Sequence, residues 1–85
     1  MAKYTVSLSK RAARQLDKLS DHLANPILRA IENLSTEPRP NGYKRLKGRD
    51  GYRIRIGNYR VIYSIVDKIL LVEVIDIGDR KNIYD

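Results

Sequence analysis

Four arginines and one tyrosine in the C-terminal half carry the most informative chemistry of the chain: Arg53, Arg55, Arg60, Arg80 and Tyr84. Arg53 and Arg55 alternate with Tyr52, Ile54 and Ile56, so in a strand both arginines point to the same face. Gly57-Asn58 then reads as a two-residue hairpin turn, in which positive φ is needed and both residues tolerate it. That turn returns the chain and sets Arg60 beside the pair. Arg80 follows Gly78 at the end of the last apolar run and can reach the same surface. Four guanidiniums converging on one concavity repel each other and gain nothing for folding. They make sense when a phosphate completes the site, because arginine offers a planar fork to phosphate oxygens. For any single one of them, an equally good reading is a charged side chain that keeps a solvated strand face soluble. For the set on one face, the polyanion site is the stronger reading.

The neighbouring residues extend the same idea. Lys44, Arg45, Lys47 and Arg49 form a basic stretch just before the arginine strand, and Lys81 adjoins Arg80. Together they suit phosphate contacts flanking the same surface. Tyr84 lies in a polar tail with no apolar pattern around it. It can stack on an exposed base, as aromatics beside arginines do in single-strand recognition, or pack locally to pin the C-terminus.

The elements that must position these residues follow from periodicity. Tyr4, Val6 and Leu8 alternate with Thr5 and Ser7, the pattern of a half-buried strand. Ser9 is placed to cap a helix over Lys10 to Ser20, with Ala13, Leu16 and Leu19 on one face. Asn25-Pro26 reads as the start of a second helix whose buried stripe is Ile27, Leu28, Ile31 and Leu34. His22 falls in the polar turn between the two, far from the basic face and exposed.

Glu37-Pro38-Arg39-Pro40-Asn41-Gly42 excludes helix. Strands are then expected over Tyr52 to Ile56, Tyr59 to Val66 and Ile69 to Ile77, with Asp67-Lys68 as a second tight turn. The last strand is apolar on both faces apart from Glu73 and Asp76, as suits a central position. Gly78 ends it, and Asp79 to Asp85 is a polar tail. Tyr52 and Tyr63 belong to the core with hydroxyls at its edge; Tyr59 suits either the core or the basic face. The order βααβββ predicts a small α+β domain over residues 1–85. It is a twisted antiparallel sheet of about four strands, with a helical hairpin packed on one face.

Composition bounds the possibilities. The 85 residues suffice for one domain, and the chain carries 17 Lys and Arg against 10 Asp and Glu, a formal charge of +7. Such an excess attracts RNA, DNA, an acidic partner or a membrane surface. With no cysteine and one histidine, disulfides, thiolate metal sites and histidine-rich metal sites are excluded. No run approaches a membrane span and the N-terminus has no secretory block, so a cytoplasmic address is expected and no membrane partner. No phosphate-binding glycine loop, dinucleotide fingerprint, metal motif or Ser-His-Asp arrangement is present, and no cofactor is expected.

The run from Pro38-Arg39-Pro40-Asn41-Gly42 through Lys44-Arg45-Leu46-Lys47-Gly48 to Gly51-Tyr52-Arg53-Ile54-Arg55-Ile56-Gly57-Asn58-Tyr59-Arg60-Val61-Ile62-Tyr63 resembles the RelE/ParE toxin superfamily. Its RelE-type branch is the nearer. The tail Ile77-Gly78-Asp79-Arg80-Lys81-Asn82-Ile83-Tyr84 matches the family's closing motif, and the likeness spans nearly the whole chain. The resemblance implies an endoribonuclease that enters the ribosomal A site and cuts mRNA by attack of a 2′-hydroxyl, held in check by a RelB-like antitoxin. Arg53 and Arg55 fall on two basic strand positions of the family, Arg60 on its phosphate-binding arginine, Arg80 on a second arginine and Tyr84 on a C-terminal tyrosine.

Two departures bear on mechanism. Studied RelE-type enzymes carry lysine at the positions of Arg53 and Arg55, and related sequences often carry histidine where Asp79 stands. Arginine stabilises charge well but is a poor base, with a pKa above about 12. Arg53, Arg60 and Arg80 are therefore expected to stabilise the transition state and Tyr84 to orient a nucleotide. Proton transfer would fall to Arg55 or to a ribosomal or RNA group. Two other readings stay open: a ParE-like inhibitor of DNA gyrase, and a non-catalytic module that binds RNA or antitoxin.

Overall fold

The first strand, Thr5–Leu8 (β1), does not pair with its sequence neighbours. It lies parallel to the last strand, Leu71–Asp79 (β5), with Thr5 opposite Leu71 and Leu8 opposite Val74. Between them the chain forms helices Lys10–Asp17 (α1) and Asp21–Asn33 (α2), then strands Lys44–Arg45 (β2), Tyr52–Ile56 (β3) and Tyr59–Val66 (β4). The order across the sheet is β1-β5-β4-β3-β2. This is a computed structural model, and it describes residues 3–79. Among them no helix is long and apolar enough to cross a membrane.

The α+β class is as expected, but the sheet has five strands and is mixed rather than wholly antiparallel. The helical hairpin acts as a crossover, and a crossover allows parallel pairing where a tight turn does not. Strand β5 is thus paired on both sides, with Val72, Val74 and Ile77 facing the helices and Glu73, Asp76 and Gly78 on the opposite face. The two-residue β2 is short and charged, as suits an exposed sheet edge.

The helices cover one face of the sheet. Ala12 and Leu16 of α1, with Ala24, Ile27 and Ile31 of α2 and the adjoining Leu34, pack on Ile54, Val61, Tyr63, Val72, Val74 and Ile77. Fully burying an aliphatic side chain of this kind stabilises by about 1.5–3 kcal/mol. Ser9 caps α1 as expected, its Oγ accepting from the Ala12 amide at 3.0 Å. The stripe on α1 is shifted by one residue: Ala12 is buried where Ala13 was expected to be. Leu28 and Leu8, expected to be buried or half-buried, are exposed.

Helix α2 begins at Asp21, five residues before Pro26, so Asn25-Pro26 is not its start. The Ser20 carbonyl accepts from the amides of Leu23 and Ala24 at 3.0 and 2.8 Å. Ser20 and Asp21 also form a helix start, with a carboxylate in the first turn where the dipole favours it. The earlier start adds Ala24 to the buried stripe of Ile27, Ile31 and Leu34, and that packing outweighs the proline. Pro26 leaves the His22 carbonyl without its helical donor, but His22 is on the exposed side, where water can serve it.

At the β3–β4 turn Ile56 pairs with Tyr59, giving the two-residue loop expected. Only Gly57 takes positive φ, at 60°, and Asn58 does not, the pattern of a turn with glycine at its first central position. The expected Asp67-Lys68 turn is a 3₁₀ turn over Asp67–Ile69, closed by Leu70 in the left-handed region.

Candidate nucleic-acid interface

Cross-strand register sorts the basic residues into two rows on the sheet face away from the helices. Lys44, Arg53, Ile62 and Asp76 are successive partners across β2, β3, β4 and β5. Arg55, Arg60 and Gly78 form the next row. Directly opposed residues in a sheet share a face with their Cβ atoms about 5 Å apart. The structure therefore brings Arg55 and Arg60 together as the sequence pattern required. Gly78 contributes no side chain to that row.

Arg53 departs from the expectation of an open arginine, because it is only 4% exposed. It sits beside Ile62, on which Leu46 packs in a second small apolar cluster. Arg53, Arg55, Arg60 and Asp79 each engage neighbouring groups. Arg55 is the exposed member of the set and Arg60 is half-buried. Arg80, Lys81 and Tyr84 lie outside the described residues.

The basic stretch divides between the two faces. Lys44, Lys47 and Arg49 are exposed, and Lys44 stands on the arginine face opposite Arg53. Arg45 is a correction: it pairs with Tyr52 and its guanidinium lies 6.0 Å from that ring centroid, toward the helix side. Strand alternation requires this, since neighbours on a strand face opposite ways.

Tyr52 is the centre of a cluster that anchors the loop after α2. The Arg39 guanidinium lies 5.3 Å from its ring centroid, and the Tyr63 ring stacks at 5.8 Å. Tyr63 is fully buried and its hydroxyl donates to the Pro38 carbonyl at 2.8 Å. Arg39 also pairs with Asp67 at 3.0 Å, and the Tyr4 hydroxyl donates to the same carboxylate at 2.6 Å. Hydrogen bonds from Arg39 and then Tyr4 hold the Asp67 carboxyl below its ordinary range. Its carboxylate in turn pushes the Tyr4 hydroxyl up, and burial pushes Tyr63 up. Both tyrosines are thus neutral structural donors.

His22 is a second correction of position, since it lies within α2 rather than in a turn. It borders a groove with Pro26 and the Gly57-Asn58 turn, and Tyr59 joins the core from the other side of that groove. Among the described residues, no group of three or more His, Asp or Glu is placed to hold a metal ion.

No pattern in the sequence marks the group where α1 meets the end of β5. Beyond Leu8, β1 stops and α1 takes its place at the strand edge. Gln15 accepts from the Ile77 amide and donates to Asp76 Oδ1, both at 2.6 Å. Arg11 donates to the same oxygen at 3.2 Å. The register shift between Ile62 and Tyr63 leaves Ile75 as an extra residue on β5, 44% exposed. A bulge has no fixed sequence signature, so neither feature is visible in alternation alone.

The chain is thus a small basic α+β domain that covers one sheet face with helices and carries arginines on the other. Residues 6–84 match the family described as ParE toxin of type II toxin–antitoxin system, parDE. The chain belongs to the RelE/ParE family of type II toxin–antitoxin toxins. A Methanocaldococcus jannaschii protein that bears the name of a RelE1 toxin is 37% identical over 88 residues, 96% of either chain. The fold matches the archaeal RelE–RelB complex from Pyrococcus horikoshii with a TM-score of 0.82 at 29% identity, covering 94% of this chain and 98% of that one. The RelBE2 toxin–antitoxin complex from Mycobacterium tuberculosis gives 0.80 at 30% identity, with coverage of 96% and 97%.

Proposed function

We propose that the chain is the toxin of a toxin–antitoxin pair and acts as a ribosome-dependent endoribonuclease on mRNA in the A site. The observation that carries this reading is the cross-strand pair of Arg55 and Arg60 on the face free of helices. Directly opposed guanidiniums concentrate positive charge on one patch of this face, and a phosphodiester is complementary to it. Attack of the 2′-hydroxyl forms a bond from O2′ to phosphorus, breaks the bond to O5′ and leaves a cyclic phosphate and a 5′-hydroxyl. Arg60 and Arg55 stabilise the charge that grows on the phosphorane oxygens. Arg53, nearly buried beside them, adds to the local positive potential. Arg80 and Tyr84 complete the set as a further charge stabiliser and a base-stacking ring.

Arginine does not remove the 2′ proton readily. That task, and delivery of a proton to the departing O5′, falls to groups on the ribosome or the RNA, which gives the enzyme a chemical reason to depend on the ribosome. Lys44, Lys47 and Arg49 hold the flanking phosphates, with Lys81 following Arg80. The reaction needs no metal or cofactor and takes place in the cytoplasm.

A RelB-like antitoxin is the second partner. The toxins of similar fold are in complexes with RelB-type antitoxins, and this chain exposes Leu8 and Leu28 on a groove also lined by Ala13 and Leu19. Primer extension on a defined mRNA, with and without ribosomes, tests the enzyme. Cuts that need ribosomes and are lost in Arg60→Ala support it. DNA breaks without mRNA cuts would establish a gyrase inhibitor of the ParE type instead.

A further inference from the structure

Beside the arginine rows the sheet face carries a cleft of about 210 Å³. Leu46, Ile62 and Ile75 give it an apolar lining. Arg11 and Asp76 border one side, and Arg49 and Asp50 from the loop before β3 border the other. The β5 bulge makes the cleft, because it brings Ile75 to the surface next to the row of Arg53 and Ile62. Gln15 and Arg11 fix Asp76 from below, so this wall is set before anything binds.

We infer that this cleft seats one unpaired base of the substrate RNA and that Asp50 selects among bases. The inference rests on the nuclease reading above and names a specificity site within it. Three observations choose the occupant. The cleft is continuous with the arginine face through the register partners Arg53 and Ile62, within reach of a nucleotide next to a bound phosphate. Among its charged rims it presents the exposed Ile75 over Leu46 and Ile62, an apolar patch against which a base can bury a ring face. Its rims carry two carboxylates, Asp76 and Asp50, as well as two guanidiniums, which suits the polar edge of a base better than a second phosphate.

The carboxylate sets the preference. A carboxylate only accepts hydrogen bonds. Guanine offers it two adjacent N–H groups, and adenine and cytosine offer an exocyclic amine. Uracil offers one N–H between two carbonyl oxygens, and both oxygens face the carboxylate unfavourably. Asp50 therefore favours amine-bearing bases over uracil.

Two measurements test this. In the first, ribosome-dependent cuts are mapped on transcripts that differ in a single codon base, for the unmodified chain, Asp50→Asn and Ile75→Ala. At one codon position the unmodified chain should cut amine-bearing bases about tenfold better than uracil. Asp50→Asn should bring that ratio close to one, because an amide both donates and accepts. Ile75→Ala, at an exposed residue, should lower cutting of every codon at low ribosome concentration. In the second, methyl resonances of Leu46, Ile62 and Ile75 are followed as the trinucleotides UGU and UUU are added. Shifts at these three methyl groups with UGU and weaker ones with UUU support the site even if the chain cuts nothing. Normal cutting with a flat base ratio, unchanged in Asp50→Asn, overturns the cleft while the nuclease stands. Variants that alter only antitoxin release, with no methyl response to RNA, overturn it and give the cleft to the antitoxin.

Discussion

Gln15 of α1 stands in for a missing strand beside Ile77. Its side-chain oxygen accepts from the Ile77 amide, and its nitrogen donates to Asp76. Gln15→Leu keeps the size but leaves the Ile77 amide without its acceptor. Loss of a partly buried backbone partner costs about 1–3 kcal/mol. Urea melts should show that loss with an unchanged m-value, and hydrogen exchange should rise first at the end of β5.

Arg60 separates activity from folding. Arg60→Ala should lower ribosome-dependent cleavage by about 10²–10³, the usual effect of removing one charge stabiliser from a transition state. Unfolding free energy should change by no more than about 1 kcal/mol. A parallel measurement of single-turnover cleavage and thermal melting checks both; equal losses would assign Arg60 to the fold.

The Asp67 network makes acid stability measurable. The folded state holds this carboxyl below its ordinary value of 3.8. Folding therefore favours the ionised form, and the stabilisation is complete above the unfolded value and lost as pH falls through the folded one. Between roughly pH 5 and pH 2, the unmodified chain should lose stability more steeply than Asp67→Asn. Melting temperature against pH for the two proteins decides it.

Gly51 closes the loop that carries Leu46, whose amide donates to the Gly51 carbonyl at 3.0 Å. It has φ of 133°, and a Cβ there would meet Leu46 Cδ1 at 3.0 Å and the Tyr63 carbonyl at 3.3 Å. Gly51→Ala should destabilise by about 1–3 kcal/mol and displace Leu46 from Ile62. Chemical denaturation gives the first quantity and methyl shifts of Leu46 the second.

Much of this was legible before any coordinates. Strict alternation over Tyr52 to Ile56 and Tyr59 to Val66, joined by Gly57-Asn58, specified both the hairpin and the register that opposes Arg55 to Arg60. Ser9 marked its helix because one side-chain bond defines a cap. The failures have physical causes. Asn25-Pro26 and Ser20-Asp21 are both acceptable helix starts, and only the burial of Ala24 against the sheet decides between them. The parallel pairing of β1 is a contact between chain ends that no local pattern records. Alternation places Arg53 on its face, but alternation alone carries no measure of burial, and Arg53 is 4% exposed. Gln15 looked like any polar helix residue, since its importance comes from where β1 happens to stop.

The pairing of β1 with β5 also has a consequence for synthesis. Thr5 to Leu8 find their partners at Leu71 to Val74, so this pairing cannot form until residue 74 has been made. Contacts between such distant segments also form late, after slow loop closure. A nascent chain whose residues 71–74 are still inside the ribosomal tunnel therefore holds β1 without its partner strand.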